Sequence, residues 1–351
     1  MAHSLAQDLD HVLTHTESVW PEAAGGRFFF TGGTGFVGKW LVESLLWANR
    51  RLHLRVSVTL LTRDPAAFGQ RYPQVAGDPA ITLWAGDAAG FAYPEGTFPF
   101  LVHAATERPF DPDRERPGGI FDCNLSGTRH VLEMAGTRGG QRLLFTSSGA
   151  VYGKQPWDLR RVPEEYAGAP DPSDVQAAYG HSKRASEYLC ACYSQVFGFE
   201  TKIARLFAFV GPYLPLDENF AVGNFLRDAL AGGPIRIAGD GTPYRSYQYA
   251  ADMAIWLWTI FFRGEKARAY NVGSPDDLNI AALARRVVEV TQVPAKIEIA
   301  RQAVPGMPAA RYVPSTERAE RELGLRNWIS TDEGIRRTYE SVRSQLELVR
   351  G

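Results

Sequence analysis

The chain has 351 residues, 45% of them hydrophobic, which is enough to bury a large core as one big α/β unit or as a large domain with a smaller one. Its 38 basic and 39 acidic side chains leave a net charge of −1, so no overall field would draw in nucleic acid or an anionic membrane. Cys123, Cys190 and Cys192 offer neither a disulfide framework nor zinc-ligand spacing, and no apolar run reaches membrane-spanning length, so a cytoplasmic, reducing compartment is expected and no metal site.

The first stretch, "MAHSLAQDLDHVLTHTESVW", is acidic and lacks the basic and apolar regions of a signal peptide. Leu5, Leu9, Val12 and Leu13 recur at helical spacing, predicting a helical extension over 1–26 packed on the body or on a partner subunit. From Arg27 onward, short apolar strands at 27–31, 55–61, 81–84, 100–105, 142–148 and 201–207 alternate with helices at 36–50, 122–138 and 174–198. Near-continuously apolar strands in that alternation predict a doubly wound, mostly parallel sheet of the Rossmann kind over 27–212. After "VGPYLP" the texture changes to a helix at 219–231, a short strand at 235–237 and further helices. A smaller C-terminal substrate-binding lobe, mainly 213–351 with parts of 235–275 returning to the first domain, is expected at the sheet's carboxyl edge. Two long Pro-rich loops, 107–119 and 154–174, are expected to be mobile or functional.

"TGGTGFVG" (31–38) lies between the first strand and the first helix of that pattern, so a tight glycine turn opens onto a helix N-terminus. Backbone without a Cβ in the way, amide donors and the positive helix dipole suit a pyrophosphate, which makes Gly32, Gly35, Phe36, Val37 and Gly38 candidate dinucleotide contacts. The next strand ends in Thr62 and Arg63 where NAD-specific folds carry an acid, and a guanidinium there suits a 2′-phosphate, which tilts the expectation towards NADP. The opposing reading has Arg63 as an ordinary surface cation and Asp64 doing the NAD work. Asp87 is a candidate partner for the adenine amino group, and the backbone of Ala104 and Ala105 should flank the pyrophosphate and nicotinamide ribose. His103, ending an apolar strand, reads as a packed histidine rather than a catalyst.

Tyr179 precedes Lys183 by one helical turn, so the two share a face. A neighbouring ammonium favours the phenolate, bringing a phenol of ordinary pKa about 10 towards use as a base near neutrality. Lys183 is also placed to reach the nicotinamide ribose, and Ser148, ending the strand "RLLFTSS", to hydrogen-bond a sugar hydroxyl as its proton leaves. Alone, Ser148 would be read as a strand-end cap; the glycine loop, the strand-end serine and the Tyr-x-x-x-Lys pair in this order raise the catalytic reading.

Over roughly 27–345 the chain resembles the extended short-chain dehydrogenase/reductases of the nucleotide-sugar epimerase/dehydratase type. The likeness is carried by "TGGTGFVG", "HAA" (103–105), "NLSGTRHVLEMA" (124–135), "SSGAVYG" (147–153), "YGHSK" (179–183), "RLFAFVGP" (205–212), "GDGTPYRSYQYAADMA" (239–254) and "YNVGS" (270–274). The resemblance implies Ser148, Tyr179 and Lys183 as the catalytic set, with Asn219 and Arg245 gripping the diphosphate of a nucleotide sugar. It further implies a structural role for Asn124 and a homodimer built on helices near 120–137 and 175–198.

Departures from the family pattern narrow the chemistry. Relatives that dehydrate a sugar carry Asp-Glu after the strand-end hydroxyl residue and decarboxylating relatives carry a Glu, whereas this chain has Gly149-Ala150, which cannot move a proton. Ala208 and Val210 also replace an expected Asn and Tyr, and Glu107, Glu164 or Glu165 would have to restore an acid. A 4-epimerase working by transient oxidation at C4 is therefore the leading expectation, since it needs only the three catalytic residues. A 4-ketoreductase, favoured by NADP at Arg63, comes next and a 4,6-dehydratase third. A non-catalytic dinucleotide-binding protein would be expected to have lost Tyr179 or Lys183, and both are present.

Overall fold

The structure, a computed structural model, describes residues 4–107, 118–218 and 220–350. Helix α1 (Leu5–Thr16) leads through a 3-10 turn to strand β1 (Arg27–Thr31), helix α2 (Phe36–Leu52), β2 (Ser57–Thr62), the short helices α3 (Pro65–Arg71) and α4 (Pro73–Ala76), and β3 (Ile81–Ala85). β4 (Phe100–His103), α5 (Gly119–Thr137), β5 (Arg142–Ser148), α6 (Ala178–Phe197) and β6 (Glu200–Leu206) follow. The remainder runs β7 (Phe209–Val210), α7 (Ala221–Leu230), β8 (Ile235–Ile237), β9 (Tyr244–Ser246), β10 (Gln248–Tyr249), α8 (Ala250–Arg263) and β11 (Ala269–Val272). It closes with β12 (Asp277–Asn279), α9 (Ile280–Thr291), β13 (Ile297–Ile299), β14 (Arg311–Tyr312), α10 (Glu317–Leu323) and α11 (Thr331–Arg350).

Seven parallel strands in the order β11-β6-β5-β4-β1-β2-β3 form the central sheet, with the order reversing beside β1. The triple phenylalanine of β1 shows why both faces are covered. Successive side chains point to opposite faces, so Phe28 and Phe30 pack with Trp258 of α8 while Phe29 packs with Phe91, Phe98 and Leu132 on the other side. Helix α8, "AADMAIWLWTIFFR", is apolar all round and accordingly buried along nearly its whole length. The apolar cluster containing Phe28 and Phe30 continues into Val222, Leu226 and Leu283, so the helices α7 and α9 share a core with the sheet. No helix among the described residues is long and apolar enough to cross a membrane.

Two expectations are corrected by local backbone geometry. Strand β2 starts at Ser57 rather than 55, because Arg55 adopts a left-handed φ of 58° that breaks the extended run. The helix carrying Tyr179 starts at Ala178 rather than 174, after a 3-10 turn whose Asp174 side chain accepts the Gln176 amide. Most of the first Pro-rich loop (108–117) lies outside the described residues. The second is docked: Val162 bridges Pro314, Arg160 pairs with Asp277 at 3.1 Å and Arg161 donates to the Pro275 carbonyl at 2.9 Å.

Candidate active site

At the carboxyl edge of the sheet a cavity of about 710 Å³ is lined by Gly32, Gly35, Phe36, Val37, Gly38, Thr62, Arg63, Asp87, Ala104, Ala105, Ser148, Tyr179, Lys183 and Arg245. Every residue assigned from the sequence to the catalytic set, the cofactor or the diphosphate is thus brought to one cavity except Asn219, which lies outside the described residues; the alternative Asp64 does not line it. The turn after β1 forms the floor of one end. Gly32 has φ +69° there, and a Cβ on it would stand 2.3 Å from both the Ala104 carbonyl carbon and the Ala105 nitrogen. Backbone is therefore packed on backbone, and Gly35 caps the N-terminus of α2 at the cavity wall. Such a bare backbone cradle at a helix N-terminus fits the pyrophosphate of a dinucleotide.

The end of the cavity near Thr62 and Arg63, where the adenosine is expected, differs in detail from expectation. Arg63 is exposed and donates to the Glu107 carboxylate at 3.3 Å, so a 2′-phosphate would meet a guanidinium already paired. Asp64 is occupied as the N-cap of α3, accepting the Ala67 amide at 2.9 Å, and this weakens the reading in which it holds a ribose. Asp87 is exposed, its carboxylate accepting the Ala89 amide at 2.9 Å. His103 is packed, with Nδ1 2.6 Å from the Thr31 hydroxyl and Nε2 3.1 Å from that of Thr128. Burial and then the nearby Lys183 push its pKa down to about 3, so it stays neutral.

At the other end, β5 delivers Ser148 and α6 delivers Tyr179 and Lys183. Lys183 is buried; its Nζ donates to the Thr146 carbonyl at 2.8 Å and lies 5.8 Å from the centre of the Tyr179 ring. Burial lowers its pKa to about 7. The charge expected to favour the Tyr179 phenolate is thus complete only below neutrality and is lost as pH rises through that value. Ser148 combines both of its readings: its Oγ accepts the Ala150 amide at 3.2 Å as a cap and faces the cavity 3.3 Å from the Tyr312 hydroxyl. Asn124 is buried and structural, accepting the Glu107 amide at 2.8 Å and donating to Ser182 at 3.1 Å, while Ser182 donates to the Tyr179 carbonyl at 2.8 Å. The turn bearing Tyr179 is thereby tied to the loop after β4.

Phe207 and Tyr312 also line the cavity and went unnoticed in the sequence. Tyr312 sits in a two-residue strand far along the chain, inside a segment without motif or periodicity, and only the pairing of β14 with β9 brings it in. These two rings explain Gly149. A Cβ there would stand 2.6 Å from Phe207 Cζ and 2.8 Å from the Tyr312 hydroxyl. The space a carboxylate at 149 would need is filled by aromatic rings. Burial pushes the Tyr312 phenol well above its ordinary pKa, so it is a neutral hydrogen-bonding group.

The acids considered as replacements do not converge on Tyr179. Glu164 accepts the Asn271 amide at 2.8 Å and Glu165 pairs with Arg318 at 2.5 Å, both on a separate cavity of about 650 Å³. Among the described residues, the carboxylates lining the main cavity are Asp87 and Glu107, which accompany Thr62 and Arg63. No group of three or more His, Cys, Asp or Glu able to hold a metal occurs among the described residues.

Residues 29–273 match the model of the NAD-dependent epimerase/dehydratase family. The chain belongs to that family. It is 29% identical over 332 residues to UDP-glucuronic acid decarboxylase 3 of Arabidopsis thaliana, covering 92% of this chain and 91% of that protein. The UDP-glucose 4-epimerase of Thermus thermophilus, solved with NAD, superposes with a TM-score of 0.72 at 26% identity, covering 90% of this chain and 99% of that one. The dTDP-glucose 4,6-dehydratase DesIV of Streptomyces venezuelae shares the fold with a TM-score of 0.77 at 24% identity, over 92% and 98% of the two chains. A decarboxylase and a 4-epimerase of nucleotide sugars are thus among the proteins this chain is similar to, and the 4,6-dehydratase shares its fold.

Proposed function

We propose that this protein is a nucleotide-sugar 4-epimerase that oxidises C4 transiently and returns the hydride to the opposite face. The observation that carries this reading is the wall at Gly149-Ala150, which carries no acid–base side chain and where Phe207 and Tyr312 fill the space beside Gly149. A bound nicotinamide supplies the site to which the hydride leaves and from which it returns. Tyr179 takes the O4 proton and later gives it back, Ser148 holds the same oxygen by a hydrogen bond, and Lys183 sets the charge around the phenol. Arg245, on the cavity wall, grips the diphosphate together with Asn219. We assign a homodimer to the helices α5 and α6, whose pairing leaves Tyr188, Val196 and Phe197 exposed on α6, and a reducing cytoplasmic compartment consistent with three free cysteines.

Incubation with UDP-glucose and UDP-glucuronic acid, without added reductant, tests the reaction. The expected product is an isobaric C4 isomer, identified by chromatography and proton NMR; a 4-keto-6-deoxy sugar would overturn the assignment. Decarboxylation is the second reading, favoured by the likeness to the Arabidopsis decarboxylase. Oxidation at C4 of a glucuronic acid creates a β-keto acid, whose C5–C6 bond pair stays on C5 as carbon dioxide leaves, and C5 must then gain a proton. The wall beside Gly149 offers no carboxylic acid for that step, so loss of carbon dioxide from UDP-glucuronic acid would require a different donor.

The cofactor's 2′ position is read by Arg63. Arg63→Ala is expected to weaken NADP+ binding about tenfold, the loss of one charge-assisted contact, and to change NAD+ affinity less than about twofold. Titration of the quenching of intrinsic tryptophan fluorescence with each dinucleotide checks this, and equal loss of both would remove Arg63 from the 2′ site.

A further inference from the structure

The N-terminal helix buries a carboxylate. Asp8 has no exposed surface; it accepts the Tyr249 hydroxyl at 2.5 Å and pairs with Arg337 of α11 at 2.8 Å. A buried ion pair is weak evidence for stability, because apolar side chains of similar volume often serve as well, but it holds its partners in one geometry. Here the partner Tyr249 ends the run 244–249, whose residues Arg245 and Tyr247 line the substrate end of the cavity. Gln248 and Tyr249 also pair in register with Phe209 and Val210, and Phe209 itself lines the cavity. Three residues further on, Asp252 accepts the amides of Trp328 and Ile329 at 2.9 Å each and contacts His11 of the same N-terminal helix at 3.2 Å. The apolar side of α1, with Val12 buried in the main core and Leu5 and Leu13 packed against it, keeps these contacts in register.

We propose that the N-terminal helix is a positioning element for substrate binding, in which Asp8, through Tyr249, holds Arg245 and Tyr247 in place for a nucleoside diphosphate. The proposal rests on the reading of the cavity given above. Asp8 touches no substrate; it acts only through the segment 244–249, which spans the strands β9 and β10. The extension therefore belongs to the working parts of the site, although Asp8 is remote in sequence from every residue that lines it.

The test uses the full chain and two probes, UDP and whichever of NAD+ and NADP+ the unmutated protein binds, followed by calorimetry. Tyr249→Phe and Asp8→Asn are expected to weaken UDP binding about fivefold while leaving dinucleotide affinity within about twofold. Asp10→Ala, on the exposed side of α1 where Asp10 meets Trp47 and Arg51, is expected to change neither. A merely structural role would lower the melting temperature and move both ligands together or neither, and that result would overturn the proposal. Should Asp8→Asn fail to fold, Tyr249→Phe alone decides. If the unmutated chain bound the dinucleotide but not UDP, dTDP, GDP or CDP, the reading of the cavity would fall and this proposal with it; normal UDP binding that both variants leave unchanged overturns the positioning role alone.

Discussion

Tyr179→Phe is expected to lower turnover of a nucleotide sugar by about 10²- to 10⁴-fold, the usual contribution of a positioned acid–base group. Cofactor affinity should change little, because the ring remains on the cavity wall and only its oxygen is removed. The size of the effect follows from the neighbours. The Tyr312 phenol is raised in pKa by burial and is no ready substitute base, while Lys183, although burial lowers its pKa to about 7, is buried and held at the Thr146 carbonyl. Ser148 retains its hydroxyl, yet an alcohol without an adjacent base takes a proton poorly. Single-turnover measurement of product, with dinucleotide titration alongside, separates the two quantities. A variant that keeps more than about a tenth of the activity would place the base elsewhere.

Gly32→Ala is expected to abolish tight dinucleotide binding and to destabilise the fold at once. The left-handed backbone at φ +69° costs an alanine about 1–2 kcal/mol. The added methyl would also stand 2.3 Å from the backbone of Ala104 and Ala105, which cannot swing away as a long side chain would. Forcing the turn and the tip of β4 apart adds about 1–3 kcal/mol of overpacking. Together these lower the stability of the fold by about 2–5 kcal/mol, and the displaced turn no longer offers its bare backbone to a pyrophosphate, so affinity is expected to fall about a hundredfold or more. Calorimetric titration of NAD+ and NADP+ into the variant, with its thermal unfolding recorded in parallel, checks this. Unchanged affinity would mean that the dinucleotide does not lie over this turn.

The two predictions draw on parts of the chain that were unequally legible. The glycine turn could be read because its requirement is local: a strand, a φ that L side chains avoid and a helix start within eight residues. Tyr179 and Lys183 were legible for the same reason, being one helical turn apart on α6. Gly149 was read only as a missing acid; that its place is filled could not be seen, because Phe207 and Tyr312 approach it from other strands. The electrostatics of Lys183 is likewise not local. Its spacing to Tyr179 is in the sequence, but its pKa near 7 comes from burial that the surrounding elements create together. Arg63 was visible as a cation at a strand tip, and Glu107 as an acid in a long loop, while their contact at 3.3 Å depends on β1 lying between β2 and β4.

By itself the order of residues determined the elements, the parallel sheet and the family motifs, since strand and helix periodicity, turn chemistry and i,i+4 pairs act over a few residues. Tertiary structure alone decided which side chains close the cavity beside Gly149, which carboxylates are kept away from it and where the N-terminal helix docks. Those outcomes depend on burial and on contacts between segments more than 150 positions apart, such as Ser148 with Tyr312 and Asp8 with Tyr249. No local pattern encodes them, because desolvation and steric exclusion are properties of the packed cavity.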